Sequence, residues 1–353
     1  MGKMAFIATG DAFVTRRIPK EGYEGFEELQ DVIGKHDVAF SNLEMTFHNQ
    51  EGTPAAVSGG TWAMTDPRCL DDMKRYGFNL FTTANNHSGD YGESGILATM
   101  RHLQERDMVF SGTGANMAEA SRPCYLETRK GRVALISVCS TFSDASIAGG
   151  QSGEVCGRPG LSPLRFSTTY HVTQEYYDMV KKLAEATDIN AYEDYGIKIG
   201  YVNPKPEGVA NLGKHIFKLD TENWVDTKPQ PRDMERIEKE IQEAKRQADV
   251  VLVSAHVHET DHKDFAVPPQ FLEIFSKKCI DAGATVVIGH GPHELRGIEV
   301  YHGGLILYSL GNFIFQTETV SMQPYEAFAN KGLSTDMKVG EFMNLRSKNG
   351  TVG

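Results

Sequence analysis

Polar side chains that can bind a metal follow five separate apolar runs of this 353-residue sequence. Each lies directly after a strand-like run or within two residues of one: Asp11, Glu44, Asn86 with His87, His256 and His290. Imidazole nitrogens, carboxylates and amide oxygens together suit a divalent metal of intermediate hardness. Taken singly, each residue has a commoner explanation as a turn residue, a helix N-cap or a solvated side chain. Together they indicate a metal site, because five of the twelve histidines also fall between His256 and His293.

The apolar runs that precede these residues alternate with helix-like segments in the first half of the chain. The pattern predicts strands at 4–9, 37–43 and 78–84, and helices at 25–34, 66–76 and 93–106. Such an alternation predicts a parallel sheet, in which the carboxyl ends of the strands share one edge. Later strands, at 250–255 and 285–289, each lead into a histidine. We therefore expect six side chains to converge at that edge: Asp11, Glu44, Asn86, His256, His290 and His293.

Two further regions shape the expected architecture. Hairpins are predicted at 125–139 and 299–308, where glycine turns separate apolar runs. The region at about 140–229 is irregular, and we interpret it as an insertion that contains a helix at 173–186. Its aromatic residues, glycines and prolines are typical of loops that shape a pocket, so we expect this region to set substrate identity. The alternative is that the aromatic residues only pack the insertion against the scaffold.

Composition excludes several classes of function. Lys and Arg number 36 against 47 Asp and Glu, which gives a net charge of -11, and no basic cluster is present, so nucleic-acid binding is excluded. The N-terminal apolar run is too short for a secretory signal, and no run approaches the ~18 apolar residues of a membrane span. The five cysteines include no CxxC pair, which favours reduced thiols. We expect a cytoplasmic protein without a membrane span, and the sequence leaves its oligomeric state open.

Four blocks of the sequence resemble the capsule-synthesis CapA family, which shares the calcineurin-like metallophosphoesterase fold. In family order they are Thr9-Gly10-Asp11, Ser41-Asn42-Leu43-Glu44, Ala84-Asn85-Asn86-His87, and Val287-Ile288-Gly289-His290-Gly291-Pro292-His293 with its continuation to Phe313. The resemblance implies an α/β fold of the metallophosphoesterase type: a four-layer α/β/β/α sandwich with mixed sheets. It implies a single domain over 1–353 that carries the insertion at about 140–229.

The resemblance also implies roles for individual residues. The implied metal ligands are Asp11, Glu44, Asn86, His256, His290 and His293. His87 matches the histidine that contacts substrate or donates a proton, and Asp11 and His293 are further catalytic candidates. Phe13 stands where most metallophosphoesterases have a histidine ligand. The site is therefore expected to hold one or two divalent ions, and Mn, Zn, Fe, Mg and Ca are not distinguished.

The remaining candidates are substrate-binding residues. His258 and Glu259 stand where many family members have a different pattern and are expected in shifted roles, whereas His262 is more typical of a solvated loop. Arg296 could hold a carboxylate or phosphate of the substrate, or form a structural ion pair. Trp62 could pack on substrate from a lid, or lie in the core.

Three functions remain open at this point. The leading hypothesis is a metal-dependent hydrolase or transferase in which metal-activated water and a histidine acid/base act on an anionic small-molecule or peptide substrate, either a phosphoester or a γ-glutamyl or peptide amide. The alternative is a metal-dependent peptide epimerase with Asp11 and His293 as the proton-transfer pair, by resemblance to relatives that epimerise lasso peptides. The third is a non-catalytic accessory protein of poly-γ-glutamate synthesis.

Overall fold

The computed structural model describes residues 3–261 and 264–348 and divides the chain into two compact units. The inserted unit is Arg165–Gln230, and the main unit takes in the described residues on either side of it. His262 lies outside the described residues. The interpretation of the chain as one domain with an insertion stays a prediction.

The main unit begins with alternating strands and helices. Up to Leu164 they are β1 (Phe6–Phe13), α1 (Phe26–Gly34), β2 (Val38–Leu43), β3 (Thr46–Phe47), β4 (Met64–Thr65), α2 (Cys69–Arg75), β5 (Leu80–Thr82), α3 (Gly92–Gln104), β6 (Val109–Ser111), β7 (Thr113–Gly114), α4 (Met117–Ser121), β8 (Cys124–Thr128), β9 (Gly131–Cys139) and β10 (Gly160–Leu161).

The inserted unit is regular, whereas the sequence predicted an irregular region around one helix. Its elements are β11 (Phe166–Val172), α5 (Gln174–Thr187), α6 (Ala191–Lys198), β12 (Val209–Leu212), β13 (His215–Leu219) and β14 (Trp224–Pro229). The four strands form one sheet in the order β12-β13-β11-β14. The predicted helix at 173–186 corresponds to α5.

The main unit resumes after the inserted unit and supplies the second half of its sheets. Its elements are α7 (Pro231–Gln247), β15 (Val250–His256), α8 (Gln270–Ala282), β16 (Val286–His290), β17 (Ile298–Tyr301), β18 (Gly304–Leu307), β19 (Asn312–Phe315), α9 (Tyr325–Ala329) and α10 (Val339–Lys348).

Two larger sheets organise the main unit. The first has the order β19-β1-β2-β5-β6, and its strands are parallel, as the strand–helix alternation predicted. The second has the order β17-β18-β16-β15-β9-β8 and is mixed, because the predicted hairpins β8–β9 and β17–β18 add antiparallel strands at its two edges. The prediction of a mixed α/β fold is confirmed.

Burial explains how these sheets are held. Phe40 and Leu80 from the first sheet share a hydrophobic cluster with Leu135, Leu252 and Ile288 from the second, so side chains of the two sheets meet. A second cluster joins α1, α2 and α3 to the first sheet. Helices α7 and α8 contact strands of the second sheet and bury one side each. The four-layer order itself stays a prediction.

No helix among the described residues has the length and apolar character that a membrane crossing needs.

Candidate metal centre

Strands of both large sheets deliver the candidate ligands. Asp11 lies in β1 and Glu44 directly follows β2, whereas His256 and His290 end β15 and β16 and lie side by side in the parallel register. The Nδ1 atom of His256 is 3.8 Å from Oδ1 of Asp11, and its Nε2 atom is 3.7 Å from Oε1 of Glu44. The carboxyl ends of strands from two sheets therefore meet at one place.

Three overlapping groups of side chains could each hold a metal ion. They are Asp11 with His256 and His290, Glu44 with His256 and His258, and Asp11 with Glu44 and His293. Within each group the candidate ligand atoms all lie within 4.8 Å of one another. Shared members join the groups into one cluster. The structure brings five of the six predicted ligands together and adds His258.

Two buried acceptors in this region lack a hydrogen-bond partner among the described residues. Both carboxylate oxygens of Glu44 are buried without a partner, and so is the Oδ1 atom of Asn86. The amide nitrogen of Asn86 donates to the carbonyl of Gly59 over 2.7 Å, which leaves the amide oxygen free. Burial of unpaired acceptors is strongly unfavourable unless a cation or donor satisfies them. The donor set therefore fits a divalent metal ion.

The turn that carries Asn86 is hydrogen-bonded to the end of β2, next to Glu44. Asn85 donates from Nδ2 to the carbonyl of Leu43 over 2.7 Å and to Oδ1 of Asn42 over 3.2 Å. These two hydrogen bonds connect the ends of β2 and β5, which are adjacent strands. Asn86, the sixth predicted ligand, is thus held on the turn beside the cluster.

Burial without a cation shifts the pKa values of the cluster toward uncharged forms. Burial raises the pKa of Asp11 to about 7, although hydrogen bonds from Asn42 and from the Gly291 amide oppose this shift. Burial, reinforced by the charges of Asp11 and Asp90, raises the pKa of Glu44 well above its ordinary value. A divalent cation would reverse these carboxyl shifts, because it favours the ionised form.

The imidazoles respond to burial in the opposite direction. Burial lowers the pKa of His290 and of His258 to about 3 in each case, and lowers the pKa of His256 well below its ordinary value. Burial also lowers the pKa of His293. Neutral imidazole is the form that binds a metal, so the site holds its histidines ready for ligation.

Neighbouring side chains orient the histidines. Ser254 Oγ lies 2.7 Å from Nε2 of His290, which turns the Nδ1 atom of that ring toward Nδ1 of His256 at 2.8 Å. Asn312 Oδ1 accepts from Nδ1 of His293 over 2.8 Å. The remaining Nε2 atom of His293 is 3.9 Å from Oε1 of Glu44. Ser254 thus holds Nε2 of His290, and Asn312 holds Nδ1 of His293. The second nitrogen of each ring then faces the cluster of candidate ligands.

The turn after β16 brings His293 into reach through unusual backbone angles. His293 has φ 60° and Gly291 has φ 120°. A Cβ atom on Gly291 would lie 2.9 Å from the backbone nitrogen of Val257, so only glycine fits there. The Gly291 amide donates to Oδ2 of Asp11 over 3.1 Å. The strained turn therefore serves both His293 and Asp11.

His87 is positioned by a buried carboxylate. Its Nδ1 atom donates to Oδ2 of Asp90 over 2.7 Å, and Asp90 also accepts from the backbone amides of Gly59 and Ala63. The ring of Phe13 packs edge-on against His87 at a centroid distance of 5.5 Å. Phe13 thus fills the position of an expected ligand with an apolar contact.

One substrate-binding prediction needs correction, and another stays open. Trp62 is buried in a hydrophobic cluster with Met64 and Tyr91, and its indole nitrogen donates to the carbonyl of Ala55, so it has a core role. Arg296 is also buried, and its guanidinium donates to the backbone carbonyls of Phe265 and Glu259. Its Nη1 atom is buried without a hydrogen-bond partner among the described residues, so a contact between Arg296 and substrate stays a prediction.

The other two predicted substrate residues have distinct surroundings. His258 lies in the cluster, with Nε2 at 3.0 Å from Nε2 of His256. Glu259 accepts from the hydroxyls of Ser140 and Thr141 over 2.6 and 3.0 Å. Both hydroxyls bond to the same carboxylate oxygen of Glu259, and Glu259 belongs to none of the candidate ligand groups.

The sequence analysis did not predict the residues that form hydrogen bonds with the candidate ligands. Asn42 donates from Nδ2 to Oδ1 of Asp11 over 2.7 Å and lies 3.3 Å from Nδ1 of His256. Asn42 and Asn312 both occur inside the sequence blocks that carry the family resemblance, so the blocks were the available signal. Ser254 precedes His256 by two positions on β15, where the period of a strand puts both side chains on one face.

A pocket of about 290 Å³ opens beside Asn86. Its lining residues are Val57, Ser58, Gly59, Asn86, Gly89, Asp90, Thr141, Phe142, Ser143 and Ser146. None of these lining residues is Lys or Arg. A substrate group that enters this pocket meets hydroxyls, the Asn86 amide, the Asp90 carboxylate, the Val57 side chain and one aromatic ring.

Comparisons with known proteins agree with the motifs. The family model described as bacterial capsule synthesis protein PGA_cap matches residues 5–317. The protein y4sH of Sinorhizobium fredii is 32% identical over 316 residues, which are 88% of this chain and 65% of that relative. The PGA biosynthesis protein CapA of Bacillus subtilis is 42% identical over 290 residues, which are 82% of this chain and 56% of the relative.

A further relative is more distant. The capsule biosynthesis protein CapA of Bacillus anthracis is 26% identical over 249 residues, which are 69% of this chain and 41% of the relative. The chain thus spans less than two thirds of the length of each of these three relatives.

Proposed function

Since this chain belongs to the bacterial capsule synthesis family PGA_cap, which is involved in poly-γ-glutamate synthesis, we propose that it is a metal-dependent hydrolase or transferase acting on an amide bond of an anionic substrate. The observation that carries the proposal is the buried, unpartnered carboxylate of Glu44 among candidate histidine ligands. A carboxylate in that setting needs a cation.

The residues that would hold the metal are the six predicted ligands together with His258. A bound divalent ion would lower the pKa of a water molecule and polarise a substrate oxygen. Asn42, Ser254 and Asn312 would keep the ligand atoms aimed at the ion, as second contacts do in other metal sites. Whether one or two ions bind depends on how the shared ligands Asp11, His256 and Glu44 divide between the groups.

The proton-transfer role belongs to His87. Its Nδ1 atom bonds to Asp90, so the Nε2 atom is the one available to a substrate. An imidazole oriented by a carboxylate can donate a proton to a leaving amine or take one from a nucleophile. The edge-on contact with Phe13 fixes the ring plane and keeps water from that side.

The surroundings favour an amide over a phosphoester. Sites for phosphoryl transfer usually add Arg or Lys to hold the phosphate oxygens. Here the pocket beside Asn86 has no basic lining residue. An uncharged amide-bearing group suits this pocket better, and the metal would carry the attraction for substrate carboxylates.

The test combines metal analysis with an activity comparison. The purified protein is assayed on γ-glutamyl oligomers and on p-nitrophenyl phosphate, before and after chelation, with metal content measured on the same samples. We expect chelator-sensitive amide cleavage or transfer and weaker phosphoester turnover. Glu44→Gln should lower metal affinity by at least about 100-fold, whereas the exposed control His215→Ala should not.

Faster phosphoester than amide turnover would contradict the substrate class, and retention of metal by the Glu44→Gln variant would contradict the site. Metal binding with no turnover of either compound would favour the accessory role instead.

Epimerisation of a peptide is the second candidate, and it is favoured by the pairing of Asp11 and His293. The imidazole of His293 lies beside Asp11, with its Nδ1 atom 3.6 Å from Oδ2, and because Nδ1 bonds to Asn312 its Nε2 atom would be the one to move a proton. Phe13 also removes a ligand that hydrolases of this fold are expected to use. A metal-bound amide or carboxylate acidifies the neighbouring Cα–H, which such a pair could remove and return.

Deuterium incorporation separates the two reactions. The peptide substrate is incubated with the protein in D₂O and followed by mass spectrometry. Epimerisation gives a gain of one deuterium without cleavage, whereas hydrolysis gives shorter products.

A further inference from the structure

The inserted unit has an unusually open structure for its size. None of its Val, Ile, Leu, Met or Phe residues is buried, although all of Arg165–Gln230 is described. Helix α5 packs on β12 and β13 and still has no buried side chain. A small unit without a closed apolar core is marginal alone and gains stability when another surface covers it.

One side of α5 carries a line of exposed apolar side chains. Tyr176, Met179 and Leu183 are 48%, 53% and 50% exposed. Their spacing of three and four residues puts them on the same side of the helix. An apolar groove of about 420 Å³ runs along this line and is completed by Val172 and Phe217. The line and the groove form a continuous apolar strip, which we call the α5 strip.

Opposite charges border the α5 strip at its two ends. Glu175 and Lys182 are seven residues apart, which is close to two helical turns, so they lie on the same side of α5. Both are exposed, and among the described residues neither has an ion-pair partner. A second α5 helix that runs antiparallel would bring its own Lys182 beside Glu175, and its Leu183 beside Tyr176.

From this self-complementary pattern we propose that the α5 strip is a dimer interface between two copies of this chain. The two α5 helices pack antiparallel about a two-fold axis near Met179, and the Glu175–Lys182 contact occurs twice by symmetry. Other occupants fit less well. A membrane surface would favour basic residues around the strip, but α5 carries three acidic and two basic residues.

Charge reversal tests the proposal without altering the apolar strip. Molar mass is measured by light scattering and by sedimentation over a dilution series. We expect the unmodified protein to be a dimer. Glu175→Lys and Lys182→Glu should each weaken dimerisation by about tenfold, because each creates two like-charge contacts. The double variant Glu175→Lys/Lys182→Glu should restore the dimer. Lys214→Glu, at an exposed turn of the same unit, is the matched control and should have no effect.

A substitution in the strip supplies the second measurement. Met179→Asp should give a monomer while circular dichroism and metal content stay unchanged, because Met179 belongs to the inserted unit and to none of the candidate ligand groups. A monomeric unmodified protein at about 100 µM would overturn the proposal. So would a dimer that survives Met179→Asp, or a double charge reversal that fails to restore it.

Discussion

The buried acceptor oxygens of Glu44 and Asn86 are stronger evidence for a bound cation than the buried histidines are. A buried imidazole can form a hydrogen bond with a neighbouring imidazole, as the Nδ1 atoms of His256 and His290 do over 2.8 Å. A buried carboxylate cannot, and both oxygens of Glu44 lack a partner among the described residues. The free-energy penalty for burying an unpaired ionised carboxylate is several kcal/mol.

His87→Ala should lower kcat by about 10²–10⁴ while metal content stays unchanged. The reason is that His87 bonds to Asp90 and belongs to none of the candidate ligand groups. The measurement pairs steady-state rates with elemental analysis of the same preparation, and the exposed histidine variant His215→Ala serves as the comparison. Loss of metal from the His87 variant would make it a ligand and contradict the assignment.

Asn42→Ala should weaken metal binding by about 10–100-fold. Asn42 holds Oδ1 of Asp11 and receives the amide of Asn85, so its loss frees both the ligand and the turn that carries Asn86. Competition with a fluorescent chelator measures the affinity, and Asn330→Ala, at an exposed helix end, is the control. An unchanged affinity would mean that the Gly291 amide alone orients Asp11.

The elements show which parts of the site a sequence can predict. Strand ends that carry His256 and His290 were predictable, because continuous apolar runs stop at these residues and parallel strands align their ends. The roles of Asn42 and Ser254 were not, because they depend on which strands lie side by side in space. The sheet of the inserted unit was missed for a related reason: its half-exposed strands lack the apolar runs that mark buried ones.

Trp62 shows the same dependence at longer range. Its burial is completed by Phe328 and Phe342 from α9 and α10, far along the chain. A pattern around residue 62 alone contains no sign of those helices. The lid interpretation was therefore open from the sequence and is wrong in the structure.

Gly291→Ala should destabilise the protein by about 1–3 kcal/mol and weaken metal binding. A Cβ atom there meets the backbone of Val257, and the turn would move the amide that bonds to Asp11. Denaturant unfolding with and without metal measures both effects. Gly297→Ala is the matched control, since nothing lies within 4 Å of its Cβ position. Equal behaviour of the two variants would show that the turn tolerates rearrangement.

Phe142→Ala should raise KM with metal content retained, because Phe142 lines the pocket beside Asn86. Phe142 also lies in the region at about 140–229 that we expect to set substrate identity. Tyr201→Ala, an 87% exposed aromatic position in the same region, provides the comparison. An unchanged KM with lowered stability would assign Phe142 to scaffold packing.

At the scale of the whole molecule, the carboxyl groups and the imidazoles of the cluster make the free energy of unfolding depend on pH in opposite ways. The raised carboxyl pKa values stabilise the fold at low pH, and for Asp11 that contribution is lost between its unfolded value near 4 and its folded value of about 7. The lowered imidazole pKa values act oppositely: their contribution is present above about 6.5 and is lost as the pH falls toward about 3.

Metal should therefore raise Tm more at about pH 8 than at about pH 5.5, because binding must displace the carboxyl protons at the lower pH. Thermal unfolding with excess metal and with chelator, at both pH values, measures the difference. The Glu44→Gln variant should show little metal effect at either pH. Equal Tm gains for the unmodified protein at both pH values would contradict the assignment of Asp11 and Glu44 as ligands.

The hydrogen bond between Asp11 and the Gly291 amide joins positions that are 280 residues apart in the chain. During synthesis the first strand leaves the ribosome long before the turn after β16 exists. An ion held by Asp11 together with His290 could not be captured in its final coordination by a nascent chain, because the two sheets must first complete and pack. If these residues bind a metal, its loading would thus follow translation of the chain through His293. A prematurely terminated product would be recognisable by its inability to retain the ion.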